Sequence, residues 1–373
     1  MRILHVVATG QRRGAEVFAS DLVRALDDER TSQHVAVIRG GELEVVFDAP
    51  CAFLGDGGGV LPGVGVSPRA LRNLRALVRA YEPDVVQAHG GEALKYATST
   101  LIRRGPLVVY RRIGSAPSSL TRGLRRTAYG AIMRRADRIV AVAEDVRRET
   151  VELFRVAPHK VMTIPNGVDR KRLTVTKSRD ETRRDLGIQR GTPVIVSMGA
   201  ISWEKDPLAH LRVTARVLRD VGEVVHVWVG DGPMREELRM AAVQEGLDGR
   251  LLMLGKRTDV ANVLTAADVL LFASRADGME GMPAIIIEAG IAGIPVAGYA
   301  VAGVPEVVVD GTTGFLVPPG DLDGLAERVV KLLGDENGRR AIGEAARKRC
   351  LARFDIRTVA ARYLSLYEEM MGS

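Results

Sequence analysis

Glu280 and Glu288 stand eight residues apart in RADGMEGMPAIIIEAG (Arg275 to Gly290), where a loop spaced by Gly and Met turns abruptly apolar. The run before it, DVLLFAS (Asp268 to Ser274), reads as a strand, and Pro283 is placed for the first position of a helix that PAIIIEAGIAG begins. Glu280 then sits just before the helix N-terminus, beside the free N–H groups of Gly281 and Met282. Glu288 lies about one and a half turns further in, roughly 8 Å along the axis at about 1.5 Å per residue. A covalent two-carboxylate hydrolase must close its acids to about 5 Å across one bond, so this spacing argues against one. It suits a ligand whose two polyol ends are joined by a charged bridge, because carboxylates accept hydrogen bonds from hydroxyls and a helix N-terminus attracts an anion. A nucleotide sugar, with sugar, diphosphate and ribose in that order, has this layout. A Glu inside IIIEAG is costly to bury unpaired, which favours a bound partner for Glu288. Asp277 reads as a loop-forming residue.

The other candidates also follow apparent strands. After RILHVVA (Arg2 to Ala8), Gly10 and Gly14 bracket a turn and a helix follows from about Ala15, so an anion is expected at its start; glycines there also serve turns for backbone reasons alone. In SMGAISWEKDP, Lys205 could neutralise phosphate, or be a solvated lysine between Glu204 and Asp206. VGDGPMREEL, from Val229, reads first as a structural turn with Pro233 at a helix start. The six histidines are scattered, no Ser/His/Asp order stands out, and Asp321 and Asp323 read as capping acids, so no metal is assigned.

Positioning these residues takes many short strands. RILHVVA, HVAVIR (34–39), DVVQAH (84–89), LVVYR (107–111), RIVAV (138–142) and KVMTI (160–164) are nearly continuous in apolar residues, the mark of strands buried on both faces. Helical patterns lie between them, and the alternation restarts with PVIVSMG (193–199), VVHVWVG (224–230), RLLMLG (250–255), DVLLFAS and IPVAG (294–298). The fold class is therefore α/β, with two Rossmann-like domains in tandem and ligand expected beyond the carboxyl ends of the strands, in a cleft between them. The polar segment Pro165 to Gly187 holds the first boundary, with domains at 1–168 and 169–354. In the last helix, Ile356, Val359, Ala360, Tyr363, Leu364 and Tyr367 make an apolar stripe, and periodicity leaves open which domain receives it.

Length and composition agree with two ordinary domains: 373 residues, 46% hydrophobic and 27% charged. Aromatics at 4% are too sparse for a stacking platform, so no nucleic-acid partner is expected. Of the +7 net charge, much lies between Arg103 and Arg138, where ten arginines face only Asp137. SLTRGLRRTAYGAIMRRAD places Leu120, Leu124, Ala128 and Ala131 near one face with arginines around it; this is either an ordinary helix or a peripheral contact with an anionic membrane. The glycine-rich loop Gly55 to Pro68 is a candidate to close over an acceptor. Cys51 and Cys350 make no disulfide framework and the N-terminus has no signal-peptide pattern, so a cytoplasmic setting is expected, with peripheral contact at the inner membrane face as the variant. Ala284 to Val309 is long enough to span a bilayer, yet Glu288, Glu306, two prolines and several glycines interrupt it.

EGMPAIIIEAGIAGIPV, followed by GVPEVVVDGTTGFLVPPGD, resembles the E-x7-E signature of the retaining GT-B glycosyltransferases of family 4 (glycosyl transferases group 1). GAE after the first strand, RADRIVAVAEDV, VMTIPNGVD, Lys205, VGDGP and LGKRTDV agree in order along nearly the whole chain. The resemblance implies two facing Rossmann-like domains, the first for acceptor and the second for nucleotide sugar, with the last helix, 355–373, crossing back to the first. It implies sugar transfer from a nucleotide diphosphate sugar, a UDP-sugar among the options, to a hydroxyl acceptor with retention. No metal or other cofactor is implied. Glu280 would touch the transferred sugar with Gly281, Met282 and Pro283 beside it, Glu288 the ribose, Lys205 the diphosphate, Gly14 the phosphates, and the backbone around Arg257 the base. Three positions depart from the pattern. Ala200 stands where an Arg is usual, Arg13 replaces the first of two glycines, and YRRIG (Tyr110 to Gly114) replaces a histidine after a strand. Arg13 or Arg112 is expected to supply the charge that Ala200 lacks, with His89 a further candidate on the acceptor or phosphate side. The rival readings are a nucleotide-sugar epimerase of the same fold and a degenerate, non-catalytic binding module.

Overall fold

The computed structural model describes residues 1–55, 65–100 and 105–372. Residues 56–64 of the glycine-rich loop, and Arg103 and Arg104 of the arginine-rich stretch, lie outside the described residues. The chain divides into two units, Met1–Gly167 together with Ile356–Ser373, and Val168–Asp355.

The first unit is built on a seven-stranded parallel sheet in the order β3-β2-β1-β4-β5-β6-β7. Its strands are β1 (Arg2–Val7), β2 (Ser32–Val37), β3 (Cys51–Phe53), β4 (Val85–His89), β5 (Leu107–Arg112), β6 (Arg138–Ala141) and β7 (Val161–Thr163). Helices cover both faces, which is why all five residues of β4, VVQAH, are buried. On one face the helices Gly14–Ala25 and Ile356–Gly372 close a core of Ile3, Phe18, Leu22, Val85, Val109, Val359 and Tyr363. Eight residues of the C-terminal helix are buried, and the hydroxyl of Tyr367 donates to Gln87 Oε1 at 2.7 Å. At roughly 1.5–3 kcal/mol for each large apolar side chain, the stripe is ample to hold that helix on this unit.

The second unit repeats the plan with six parallel strands in the order β10-β9-β8-β11-β12-β13. They are β8 (Val194–Met198), β9 (Val225–Val229), β10 (Leu251–Met253), β11 (Val269–Phe272), β12 (Val296–Tyr299) and β13 (Gly314–Val317). β3 and β13, edge strands of three and four residues, are not marked by the sequence, whereas the three-residue edge strands β7 and β10 are.

The polar segment 165–187 is structured. Ser178 and Glu181 form a capping box at the start of helix Arg179–Asp185, and Arg179 and Arg183 pair with the buried Asp268 at 2.6 and 2.9 Å. Its charges are anchors for the foot of β11, which is why it lacks an apolar period. The apolar run 284–309 is broken into helix Ala284–Ile291, β12 and the short helix Val304–Val307. Among the described residues no helix is long and apolar enough to cross a membrane. In helix Gly123–Arg134, Tyr129 and Met133 face the core while Leu124 is 89% exposed; Leu120 lies before that helix in the 3-10 turn Ser118–Leu120, off the expected face.

Candidate functional site

Both sheets share one feature of order: the connections leave a central pair of strands in opposite directions, β1 and β4 in the first unit, β8 and β11 in the second. Loops diverging from such a pair leave a crevice past the strand ends, the usual ligand position in open α/β sheets. In the second unit the loop after β8 carries Lys205 and the loop after β11 carries Ser274 and Glu280.

Glycines bring these loops together. A Cβ on Gly230 would lie 1.9 Å from the Gly199 carbonyl oxygen and one on Gly232 would lie 2.3 Å from that of Ile201. VGDGP is thus a structural turn that lets the β9 and β8 ends pack backbone to backbone. Trp228 Nε1 donates to the Gly199 carbonyl at 3.1 Å beneath them. Gly278 backs onto the Glu204 carbonyl in the same way, and Arg275 N–H donates to that oxygen at 3.0 Å. Met279 holds a left-handed φ of 59°, which costs about 1–2 kcal/mol for a residue with a side chain. The loop it bends folds Glu280 back on Ser274.

Glu280 Oε1 accepts from the Ser274 hydroxyl at 3.0 Å and forms an ion pair with Lys205 Nζ. The two side chains remain 13% and 23% exposed, so a ligand can reach both. Glu288 is 7% exposed and its Oε1 accepts from Arg172 Nη2 at 2.6 Å. Its burial therefore does not itself demand a bound ligand, since a guanidinium 116 residues away answers the charge. No local pattern marks Arg172 in DRKRL. Pro283 takes φ −67° and ψ 118° and caps the helix rather than opening it; helix Ala284–Ile291 starts one residue later because that ψ is extended. Gly281 and Met282 are buried, and the Gly281 carbonyl accepts from Gly303 N–H at 2.7 Å. Arg257 holds Asp259 in a two-pronged pair at 2.7 and 2.6 Å, which raises its pKa. Asp277 pairs with Arg275 at 3.0 Å in the loop, and Asp321 caps helix Leu322–Gly334 through Gly324 N–H at 2.9 Å.

Ala200 is exposed, and a guanidinium that no sequence motif marks stands on the Lys205 turn: Arg275 lies 4.4 Å over the Trp203 ring and 3.8 Å from Asp206.

The first unit treats its candidates differently. Gly14 opens helix Gly14–Ala25, and a Cβ there would meet nothing within 4 Å, so packing does not explain this glycine. Arg13 is exposed at the N-cap, its guanidinium donating to Gln11 Oε1 at 2.8 Å. Arg112 cannot make up for Ala200: it is 2% exposed, ion-paired with Glu149 and bonded to Thr150 Oγ1 at 2.6 Å. β5 alternates faces, and this face is covered by helix Glu144–Glu152. His89 is also enclosed. Gln33 Nε2 donates to the Val23 carbonyl, so Gln33 Oε1 accepts from His5 Nε2–H at 3.1 Å, and His5 Nδ1 accepts from His89 Nε2–H at 3.1 Å. Burial holds the His89 pKa well below its usual value, so the ring stays neutral. Arg111, on the face opposite Arg112, is buried 3.7 Å over the Phe18 ring and donates to Asn166 Oδ1 at 2.5 Å.

Two doubly wound parallel sheets of one strand order define the GT-B class, and comparison with known proteins agrees. Family models match along the chain: Glycosyltransferase Family 4 over residues 12–172 and Glycosyl transferases group 1 over 178–349. A 2-deoxystreptamine N-acetyl-D-glucosaminyltransferase of Streptomyces fradiae is 31% identical over 79% of this chain and 73% of its own length. An N-acetyl-alpha-D-glucosaminyl L-malate synthase of Bacillus anthracis is 28% identical over 63% of this chain, the match spanning 60% of that protein. Among solved structures, Anabaena HepE in complex with UDP superposes with a TM-score of 0.84 at 21% identity, covering 99% of this chain and 100% of the other. The chain belongs to glycosyltransferase family 4.

Proposed function

We propose that the chain moves a sugar from a nucleotide diphosphate sugar to a hydroxyl acceptor, with retention of anomeric configuration and without a metal. One observation carries the reading: Lys205, Ser274 and Glu280 gather on the two loops that diverge from β8 and β11, with Glu288 in the helix that follows. That HepE has been solved with UDP and with UDP-glucose supports a nucleotide-sugar donor here.

In this scheme Glu280 holds sugar hydroxyls and Lys205 turns from Glu280 to the incoming diphosphate. Glu288, steadied by Arg172, takes the ribose, the backbone around Arg257 takes the base, and the open space above Gly14 admits phosphate. The acceptor hydroxyl enters on the leaving-group side. Its oxygen bonds to the anomeric carbon, the bond from that carbon to the diphosphate oxygen breaks, and the hydroxyl proton passes to the departing phosphate. The chain's contribution is electrostatic, stabilising charge that develops on the diphosphate. The first unit takes the acceptor, whether glycan, lipid-linked or small molecule; the malate and deoxystreptamine in the relatives' names favour a small hydroxylated one. Arg122, Arg125 and Arg135, which form no ion pair among the described residues, and the exposed Leu124 make helix Gly123–Arg134 the face for any peripheral contact with an anionic membrane at the inner face.

The test is a screen of uridine, guanosine and adenosine diphosphate sugars in EDTA, reading thermal stabilisation and slow donor hydrolysis. One donor is expected to do both. Neither response from any donor overturns the proposal, and isomerisation of the donor with no acceptor present favours an epimerase.

A further inference from the structure

The loops that carry Lys205 and Glu280 are joined through one imidazole. His210 lies in the first turns of helix Pro207–Val221 and is 4% exposed. Its Nε2 is 3.1 Å from the backbone nitrogen of Ala273, a group that only donates, so Nε2 is the acceptor and the ring proton is on Nδ1. Nδ1–H then donates to the Asp206 carbonyl at 3.0 Å. The two partners leave no other tautomer that satisfies both. Burial lowers the His210 pKa to about 4, which keeps the Nε2 lone pair available at neutral pH. The Trp228 ring, edge-on with its centroid 4.9 Å away, holds the imidazole plane.

Following the bonds closes a circuit. Lys205 precedes Asp206, whose carbonyl meets His210; His210 meets the N–H of Ala273, which precedes Ser274; the Ser274 hydroxyl reaches Glu280, and Glu280 pairs with Lys205. A second clip between the same loops, Arg275 N–H to the Glu204 carbonyl, uses peptide groups only. The Arg275 side chain also crosses between the loops, to Asp206 at 3.8 Å and over the Trp203 ring, but the imidazole bonds directly to the peptides that precede Ser274 and follow Lys205.

We propose that His210 is a positioning residue: without touching substrate, it sets the spacing of Lys205 and Glu280 by bridging the peptides next to each. The inference rests on the donor-side roles given to those two residues above. A phenylalanine would fill the volume and leave the Ala273 N–H buried without an acceptor, free to pull the β11 loop out of register with Lys205.

Two variants and one spectroscopic measurement decide it. His210→Phe keeps the ring and loses both bonds, whereas His210→Gln keeps an amide oxygen able to accept from Ala273. With the donor found by the screen, His210→Phe is expected to lower kcat about 10- to 100-fold, as a misplacement of about 1 Å in such a pair does, while leaving nucleoside monophosphate affinity near the parent's. His210→Gln is expected to recover most of the kcat. Parent-like kcat in His210→Phe, with Glu280→Ala inactive, overturns the positioning role and leaves the transferase reading standing. Equal losses in both variants, tracking their unfolding midpoints, also overturn it. In the parent, nitrogen NMR of labelled histidine should show the Nδ1–H tautomer at His210; the Nε2–H form overturns the bridge whatever the donor is. A parent chain that uses no donor sinks the transferase reading, and the NMR signature still decides the bridge.

Discussion

The strand ends of the two units look alike in sequence and behave differently in the fold. Each sheet ends its central strands in a cluster of charged and polar residues: Arg13, His89, Arg111 and Arg112 in the first unit, Lys205, Ser274 and Glu280 in the second. In the second, the charges lie beyond the strands, on loops, and stay reachable while paired with one another. In the first, His89, Arg111 and Arg112 are the last residues of β4 and β5, and helices lie over both faces of those strands. Whether a charge stands inside a strand's last rungs or on the loop beyond decides whether packing encloses it or leaves it reachable. Arg112 finds its partners in Glu149 and Thr150, while Arg111 bonds Asn166 and its Nε and Nη1 stay buried without a hydrogen-bond partner among the described residues.

Substitutions in the two places should therefore fail in different ways. The largest effect is expected in the first unit. Glu149→Ala leaves the buried Arg112 guanidinium without its acid, at a cost of about 3–5 kcal/mol seen as a lowered denaturation midpoint. An unchanged midpoint would put Arg112 back among the ligand candidates. Glu280→Ala in the second unit is expected to lower kcat by about 100-fold or more with nucleotide binding largely kept, since it removes a contact to the reacting sugar. Loss of nucleotide binding in parallel would contradict that division of labour.

Glu288→Ala comes next. A charge-assisted bond to ribose is worth about 1.5–3 kcal/mol, so nucleotide affinity, read by calorimetry, should fall by about tenfold or more while kcat at saturation changes less. If affinity holds and only the unfolding midpoint drops, the Arg172–Glu288 pair is structural alone. The smallest effect is expected at Gly14. Because a Cβ there meets nothing, Gly14→Ala should leave stability unchanged or raise it by about 0.5 kcal/mol, while donor affinity falls if phosphate passes over that helix start. Unchanged affinity would remove the first unit from the donor side altogether.

Much of the layout was legible because it is local. Strands buried on both faces are apolar along their length, so eleven of the thirteen strands among the described residues could be read from runs such as VVHVWV and DVLLF. β3 and β13 are not marked in that way, although β7 and β10, edge strands of three residues each, are; edge position and length do not separate the two pairs. The segment 165–187 shows no apolar period because its contacts, Arg172 to Glu288 and Arg179 and Arg183 to Asp268, are ionic and span 85 residues or more. Periodicity registers apolar faces and is blind to such pairs.

Sequence alone determined the two rounds of strand and helix, the glycines and proline at the strand ends, and the two acids with their spacing, because backbone sterics and apolar patterning act over a few residues. Tertiary structure alone decided which charges answer each other. It set Lys205 against Glu280, Arg172 against Glu288 and Arg112 against Glu149, and it set His210 against the peptide of Ala273, 63 residues away. A buried charge or peptide group needs a partner, and its identity depends on which strand lies beside which, a matter of sheet order that no short stretch of chain encodes.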